Sequence, residues 1–176
     1  MTLMDEVRSF VRRPAIAAIA TGLLAVDLGL SRIILLSKSR LDGATIVPGL
    51  LDFRFMWNRG ISFSLFWQSS NFGSWVIAIF SAVVAVLLLR WAILSNKLLM
   101  SGALTCVAVG ALGNVASRLL HGAVFDYFAF HVGEVPLFVF NISDVLISVG
   151  VIGLLVETTW PTRWTAQIGN TGHAED

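Results

Sequence analysis

The chain has 176 residues, of which 56% are apolar and only 13% charged, and its formal net charge is +1. Its mean hydropathy is +0.81. Soluble domains carry about 25% charged residues, so this composition excludes an ordinary water-soluble globule, and it excludes a disordered chain, which needs low hydrophobicity. The small net charge predicts no nucleic-acid partner. The single cysteine, Cys106, excludes an intrachain disulfide and a cysteine-based zinc site.

Four apolar runs are long enough to cross a bilayer, whose hydrocarbon core of about 30 Å is spanned by about 20 helical residues. They lie at about 15–36, 75–94, 98–115 and 138–157. The first run follows a basic segment but has no convincing cleavage site after it, so we expect a retained helix rather than a cleaved signal peptide. Three polar residues, Ser95, Asn96 and Lys97, predict a tight turn between the second and third runs.

The two long connections, about 37–74 and 116–137, lie on the same side of the membrane if all four runs span it. Both are rich in aromatic residues, which suit the headgroup region. The alternation that begins at Leu51 predicts a short strand as far as Trp57. The sequence therefore predicts a single all-α membrane domain over residues 1–176. It would have four transmembrane helices, a small β-platform outside the membrane, and a loop or helix over the candidate site.

Charge leaves the orientation of the chain open. With a cytoplasmic N-terminus, the twelve cationic side chains divide into six inside and six outside, so the positive-inside rule gives no preference by count. Arg8, Arg12 and Arg13 precede the first run, and the first helix usually sets the topology. We therefore expect both termini in the cytoplasm and both long connections on the opposite face.

Ionisable residues at membrane depth are expensive to bury and therefore mark functional sites. Four stand out here: Asp27, Arg118, Asp126 and Asp144. If the last two helices form a hairpin, Asp126 in their connection comes to lie beside Asp144, which is about one turn into the fourth run. A poorly solvated pair of carboxyls shares one proton and can activate a water while protonating a leaving group. The pattern indicates hydrolysis of an amide or ester. In the alternative, Asp144 caps its helix and Asp126 is a solvated loop acid.

Four polar motifs surround these acids in order along the chain. They are Asn58-Arg-Gly60-Ile-Ser62-Phe63-Ser64, Gly113-Asn114-x-x-x-Arg118, Gly122-x-Val-x-Asp126-Tyr-Phe and Phe140-Asn141-x-x-Asp144. Together they resemble the motifs of lipoprotein signal peptidase (signal peptidase II), over about residues 20–160. The resemblance implies a multi-pass aspartic endopeptidase of the bacterial inner membrane, with its β-platform and active site on the periplasmic side. Such an enzyme removes the signal peptide from prolipoproteins on the amino side of a cysteine that carries a diacylglyceryl group.

The resemblance also assigns roles to residues. Asp126 and Asp144 match the catalytic pair, and the supporting or substrate-binding positions are Asn58, Gly60, Asn114, Arg118 and Asn141. An Asn can donate to a scissile carbonyl oxygen or fix a carboxyl rotamer, and Arg118 can hold substrate carbonyls. The alternatives are capping or loop hydrogen bonds for each Asn, and snorkelling to the headgroups for Arg118. The implied partners are a diacylglyceryl-modified prolipoprotein, membrane lipid and a globomycin-type inhibitor. We expect a monomer that needs no cofactor.

Two positions depart from the family pattern. Ser117 stands where the family has an Asp before Arg118, and Asp27 lies one residue upstream of the place required by the family's Asp-x-x-[Thr/Ser]-Lys, with Arg32 for the Lys. One residue turns a helical side chain by about 100°, so Asp27 need not play the family's part. Both departures leave open a non-catalytic or impaired paralogue that binds a lipopeptide or a partner helix. A small transporter is a further alternative, and it would need midplane polar residues on several helices.

Other reactive residues fit simpler interpretations. Cys106 lies within the third run, which contains no His to serve as its base, so we expect packing rather than nucleophilic catalysis. His121 and His131 flank Asp126 but are weak candidates for metal ligands. Paired glycines in the third and fourth runs predict close helix packing rather than a site: Gly110, Gly113, Gly150 and Gly153.

Overall fold

The structure, a computed structural model, describes residues 3–60 and 71–159, with residues 3–13 and 71–72 described by their backbone alone. Residues 61–64 of the first sequence motif lie outside the described ranges. The elements in chain order are α1 (Leu3–Leu36), α2 (Lys38–Leu41), β1 (Thr45–Val47), β2 (Leu51–Asn58), α3 (Asn71–Leu94), α4 (Leu98–His121), β3 (Val124–Val132), β4 (Val135–Phe140) and α5 (Ile142–Thr159).

Four helices in the described ranges are long and apolar enough to cross a membrane. Their candidate spans are Pro14–Leu36, Gly73–Leu94, Leu98–His121 and Ile142–Thr159. Large apolar side chains such as Ile33, Phe80 and Ile152 are exposed on the outside of the bundle, as expected where lipid replaces water. The prediction of four spanning helices with a small sheet is confirmed, as is the tight turn between α3 and α4.

Helix α4 is central and packs against α1, α3 and α5. Its contact with α5 depends on glycines that let the two backbones approach closely. A Cβ added at Gly150 would lie 2.6 Å from the carbonyl oxygen of Ala103, and one added at Gly110 would collide with the carbonyl oxygen of Ser143. The close helix packing predicted from these glycines is therefore confirmed.

Gly150→Ala is expected to destabilise the bundle by about 1–3 kcal/mol, because the added methyl group must push α4 and α5 apart. Gly102→Ala is the matched control, since a Cβ at Gly102 on α4 would meet nothing within 4 Å. Thermal unfolding of both variants in detergent checks the expectation. Equal unfolding temperatures for the two variants would contradict it.

A four-stranded antiparallel sheet, in the order β1-β2-β3-β4, closes one end of the bundle. Strand β2 comes from the α1–α3 connection and β3 from the α4–α5 connection, so the sheet joins the two long connections. The predicted strand at 51–57 is confirmed as β2. The register pairs Met56 with Asp126 and Asn58 with Val124, which brings the first sequence motif beside the third.

The connection between α4 and α5 differs from the predicted loop or helix, because it forms the β3–β4 hairpin. Helix α4 continues past the predicted end at 115 to His121 and stops at Gly122, whose φ of 75° is left-handed and whose N–H donates to the Arg118 carbonyl. Helix α5 begins at Ile142 rather than at 138, since Phe138 and Phe140 pair with β3. Short apolar runs do not distinguish a strand from a helix start. Helices α1 and α3 also begin earlier than predicted, at 3 and 71.

An ion pair that the sequence analysis missed joins α5 to the start of α4 at the other end of the bundle. Glu157 is buried on α5, and its Oε1 lies 2.6 Å from Nζ of Lys97, whose side chain stays 42% exposed. A buried acid in a membrane helix needs such a counter-charge. This contact ties the α3–α4 turn to the end of α5.

Candidate active site

Asp126 lies on β3, is 1% exposed, and accepts hydrogen bonds from two side-chain amides. Asn58 Nδ2 donates to Oδ2 at 3.1 Å, and Asn141 Nδ2 donates to Oδ1 at 2.7 Å. The Gly60 N–H in turn donates to Asn58 Oδ1 at 3.1 Å, which orients the Asn58 amide with its NH₂ group towards the acid. The pairing of β2 with β3 thus places Asn58 and Gly60 in support of Asp126.

Asp144 lies in the first turn of α5 and is half-buried. Its Oδ2 accepts the Asn141 N–H at 3.1 Å, while Asn141 Oδ1 accepts the Asp144 N–H at 3.0 Å. This reciprocal pair is the pattern of a capping box. Asp144 Oδ1 also accepts from Asn114 Nδ2 at 2.9 Å. Asn141 is therefore the N-cap of α5 and Asp144 its partner in the capping box, and Asp144 also contacts Asn114 of the second motif.

Asn141 joins the two acids. Its Nδ2 donates to Asp126 Oδ1 and to Asn114 Oδ1, the latter at 3.1 Å, and an amide NH₂ has the two hydrogens that these bonds need. Its backbone N–H binds Asp144. Asn141 is itself buried. The two carboxyls, predicted on separate elements, are therefore bound by a single residue.

Burial dominates the electrostatics of Asp126. Burial, and after it the charge of Asp144, raise the pKa of Asp126 to about 7, although the hydrogen bonds from Asn58 and Asn141 and the positive charge of Arg118 act to lower it. Arg118, near the end of α4, donates from Nη1 to the Asn114 carbonyl at 3.4 Å. The Asp126 carboxyl therefore gains and loses its proton near neutral pH.

Ser117, the first departure from the family pattern, fixes the turn that leads into β3. Its Oγ donates to the Ala123 carbonyl at 3.0 Å and accepts the Phe125 N–H at 3.0 Å. A hydroxyl can donate and accept at once, whereas an ionised carboxylate only accepts. Because Phe125 directly precedes Asp126, Ser117 holds the backbone beside the acid.

Asp27, the second departure, is buried and accepts a hydrogen bond from Ser143 Oγ at 2.7 Å. Tyr127 provides a second link to α5, because its hydroxyl oxygen accepts the Ile142 N–H at 3.2 Å and lies 3.4 Å from Ser31 Oγ on α1. Burial raises the pKa of Tyr127, so the phenol stays protonated. Sequence reasoning missed both links. The sequence signal for these links was adjacency to the acids, because Tyr127 directly follows Asp126 and Ser143 directly precedes Asp144.

A groove of about 970 Å³ begins at Asp144, one of the two acids. Its polar end contains Asn58, Asn114, Arg118 and Asp144. Its apolar walls come from α3, β4 and α5 and include Ile77, Phe80, Leu137, Phe138, Val145 and Ile152. Several of these wall residues are exposed on the outside of the bundle, so the groove opens towards lipid. A large apolar groove with a few convergent polar groups is the usual form of a ligand site.

The histidines near the site have other contacts. The His121 ring lies 5.2 Å from the Trp57 ring, and His131 Nε2 lies 3.1 Å from Asp52 Oδ2. Among the residues that the structure describes, no group of three His, Cys, Asp or Glu side chains is arranged to hold a metal ion.

Comparison with known proteins identifies the family. The sequence model of signal peptidase (SPase) II matches residues 19–160. The chain belongs to the signal peptidase II family. The lipoprotein signal peptidase of Methylorubrum extorquens is 36% identical over 127 residues, which are 70% of this chain and 74% of that relative. The lipoprotein signal peptidase of Methylobacterium radiotolerans is 39% identical over 110 residues, 62% of this chain and 64% of that relative.

The fold also matches a solved structure. A bacterial membrane enzyme, determined by the in meso method at 1.9 Å resolution, superposes with a TM-score of 0.70 over 85% of this chain and 95% of that chain, at 22% sequence identity. The family model and the two relatives confirm the resemblance drawn from the four motifs, and the solved structure confirms the fold. As a member of the signal peptidase II family, the chain is a multi-pass membrane peptidase of the type that processes lipoproteins.

Proposed function

We propose that this signal peptidase II is an aspartic endopeptidase in which Asp126 and Asp144 form the catalytic pair. It removes signal peptides from diacylglyceryl-modified prolipoproteins on the amino side of the lipidated cysteine. It acts as a monomer in the bacterial inner membrane, with the sheet and the acid pair on the periplasmic side. The observation that carries the proposal is that Asn141 binds both acids, of which Asp144 lies at the polar end of the lipid-facing groove.

The chemistry needs one proton on the pair. The ionised acid takes a proton from a water molecule, the water oxygen attacks the peptide carbonyl carbon, and the protonated acid gives its proton to the departing amine. Asn58, Asn114 and Asn141 hold the carboxyls, and Arg118 places a positive charge beside them. A fixed positive charge such as that of Arg118 can stabilise the negative charge that develops on the carbonyl oxygen.

The groove suits a lipidated peptide. Its apolar walls lie against the membrane, so acyl chains can enter sideways without leaving the hydrocarbon, while the peptide reaches the polar end. A transmembrane signal helix can pack beside α3 and α5 in the same lipid. The substrate is thereby recognised by its lipid and by the chain segment next to the lipidated cysteine.

The pH profile tests the acid pair directly. Asp126 with a pKa of about 7 is protonated below neutral pH and ionised above it. We expect kcat/KM to fall as the pH rises above 7, approaching tenfold per pH unit, because a doubly ionised pair has no proton to donate. The measurement is initial rates of signal-peptide release between pH 6 and 9 in lipid nanodiscs. A rate that keeps rising through pH 9 would contradict the assignment.

The substrate assignment is tested with one prolipoprotein prepared with and without its diacylglyceryl group. The purified protein is expected to release the signal peptide from the lipidated form, and globomycin is expected to block that release. The unlipidated form, which leaves the apolar groove unfilled, is the matched control and should be cleaved much more slowly. A protein that binds the lipidated peptide without releasing a signal peptide would instead be a non-catalytic lipopeptide-binding member of the family.

A further inference from the structure

The last strand of the sheet, β4, has an open edge on the side away from β3. Within the described ranges the sheet ends at β4, and no further strand pairs with it there. Pro136 lies in β4, and proline within a sheet is typical of edge strands, because it has no N–H to donate. The open edge of a strand can bind an extended peptide through its backbone groups.

The register of the sheet decides which backbone groups face this edge. The N–H and C=O of Phe53 both bind residues 43–44, on the side of β1, at 2.8 and 2.9 Å. Phe128 lies opposite Phe53, so its own N–H and C=O point away from β2, towards Phe140 on β4. The direction of these groups alternates along a strand. The N–H and C=O of Val139 therefore face the outer edge of β4.

This edge lies along the substrate groove and close to the acids. Four consecutive residues of β4, from Leu137 to Phe140, line the groove. Side chains alternate between the two faces of a strand, so a surface formed by consecutive residues is the edge of the strand. Val139 precedes Asn141 by two residues, or about 7 Å of extended chain, and Asn141 binds both acids. A peptide paired with Val139 therefore has a neighbouring bond within reach of the acids.

We propose that the outer edge of β4 binds the substrate as an added antiparallel strand, through the N–H and C=O of Val139. This inference rests on the proposed function and names the part of the substrate that the site holds. From the acids, α5 leads into the membrane-spanning bundle, where the signal helix packs, whereas β4 belongs to the sheet at the end of the bundle. The segment that pairs with β4 is therefore the one that follows the lipidated cysteine.

The spacing limits which substrate residue is bound. In an antiparallel pair one residue exchanges two hydrogen bonds with the residue opposite. Because Val139 lies about 7 Å along the chain from Asn141, its partner is the first or second residue after the lipidated cysteine. Main-chain bonds hold this segment in place without selecting its side chains.

Backbone methylation of the substrate tests the pairing. Diacylglyceryl-modified peptides are prepared with an N-methyl group on each of the first four residues after the cysteine in turn. We expect one of the first two positions to lose about tenfold in kcat/KM, because the methyl group removes a hydrogen bond to Val139. The position next to it, whose N–H faces away from β4, should lose less than about twofold. Equal losses at all four positions, or no loss at any, would overturn the pairing.

Binding of the same peptides to Asp126→Asn separates this inference from the proposed function. The variant binds without cleaving, so the pattern of sensitive and tolerant positions can be measured as Kd. A periodic pattern in Kd supports the pairing even if the unmodified protein releases no signal peptide. Cleavage of the unmethylated peptide without such a pattern supports the proposed function and overturns the pairing.

Val139→Pro removes the donor on the side of the enzyme. Because the Val139 N–H faces the outer edge, proline there breaks no bond to β3 and the sheet should survive. We expect KM to rise about fivefold with little change in kcat, since the bond is made in the bound substrate as well as in the transition state. Val139→Ala keeps the N–H and should raise KM less than Val139→Pro does. An equal rise in both variants, or an unchanged KM in folded Val139→Pro, would overturn the role of this N–H. If Val139→Pro does not fold, the methylated peptides still decide the proposal.

Discussion

Asp126→Asn and Asp144→Asn are each expected to lower the rate of signal-peptide release by about 10³-fold or more. An amide has the shape of the carboxyl but cannot exchange a proton, so each variant removes one of the two proton transfers. The double variant should be little worse than either single variant, because residues that act as a unit are strongly non-additive. The measurement is single-turnover cleavage of a diacylglyceryl-modified prolipoprotein.

The control for this pair is Asp42→Asn. Asp42 is an exposed acid at the end of α2, away from the groove, so its replacement should leave the rate within a factor of two. Globomycin binding and the unfolding temperature show whether each Asn variant is folded. A folded Asp126→Asn or Asp144→Asn variant that cleaves at the unmodified rate would refute the aspartic mechanism.

Asn141→Ser is expected to lower the rate about 10²-fold while the protein stays folded. Ser is as good an N-cap as Asn, so the start of α5 survives, but its short hydroxyl does not reach Asp126. Loss of one positioned donor in an active site costs about 10²–10³-fold. The Asn141 hydrogen bond lowers the pKa of Asp126, so its loss raises that pKa and should move the alkaline limb of the pH profile upwards.

Asn141→Ala separates the two roles of this residue. It removes the donor to Asp126 together with the cap of α5, and loss of a cap costs about 1 kcal/mol. It should therefore match Asn141→Ser in rate but unfold at a lower temperature. A normal rate and an unshifted pH profile for Asn141→Ser would show that the bond between Asn141 and Asp126 is not needed for catalysis.

The sequence was informative wherever a signal was local. Long apolar runs predict spanning helices because bilayer thickness fixes their length, and four short motifs were enough to identify the family. The residues named from those motifs do meet, since Asn58, Asn114 and Asn141 each bind one or both acids. Their roles in catalysis stay predictions.

The other parts of the fold and the site depend on tertiary contacts, which produce no periodic pattern in the sequence. The β3–β4 hairpin is as apolar as the helix that follows it, so composition alone could not separate them. The bond between Asp27 and Ser143 joins residues 116 positions apart, and a one-residue shift in a motif does not reveal where that side chain packs. The sequence alone does not explain Ser117, because the groups that its hydroxyl binds are the backbone carbonyl of Ala123 and the backbone N–H of Phe125.

The polar residues of the site hold the start of α5 as well as the acids, and this combination affects how resistance to an inhibitor could arise. Asp144 and Asn141 hold the start of α5 as well as each other, so a substitution there that lowered the affinity of a compound designed to bind them would also destabilise the start of α5. Leu137 and Ile152, on the lipid-facing wall of the groove, lie within β4 and α5 and do not cap a helix. Fewer tolerated substitutions are expected to weaken compounds that bind the amides and acids than compounds that gain affinity by filling the apolar wall of the groove.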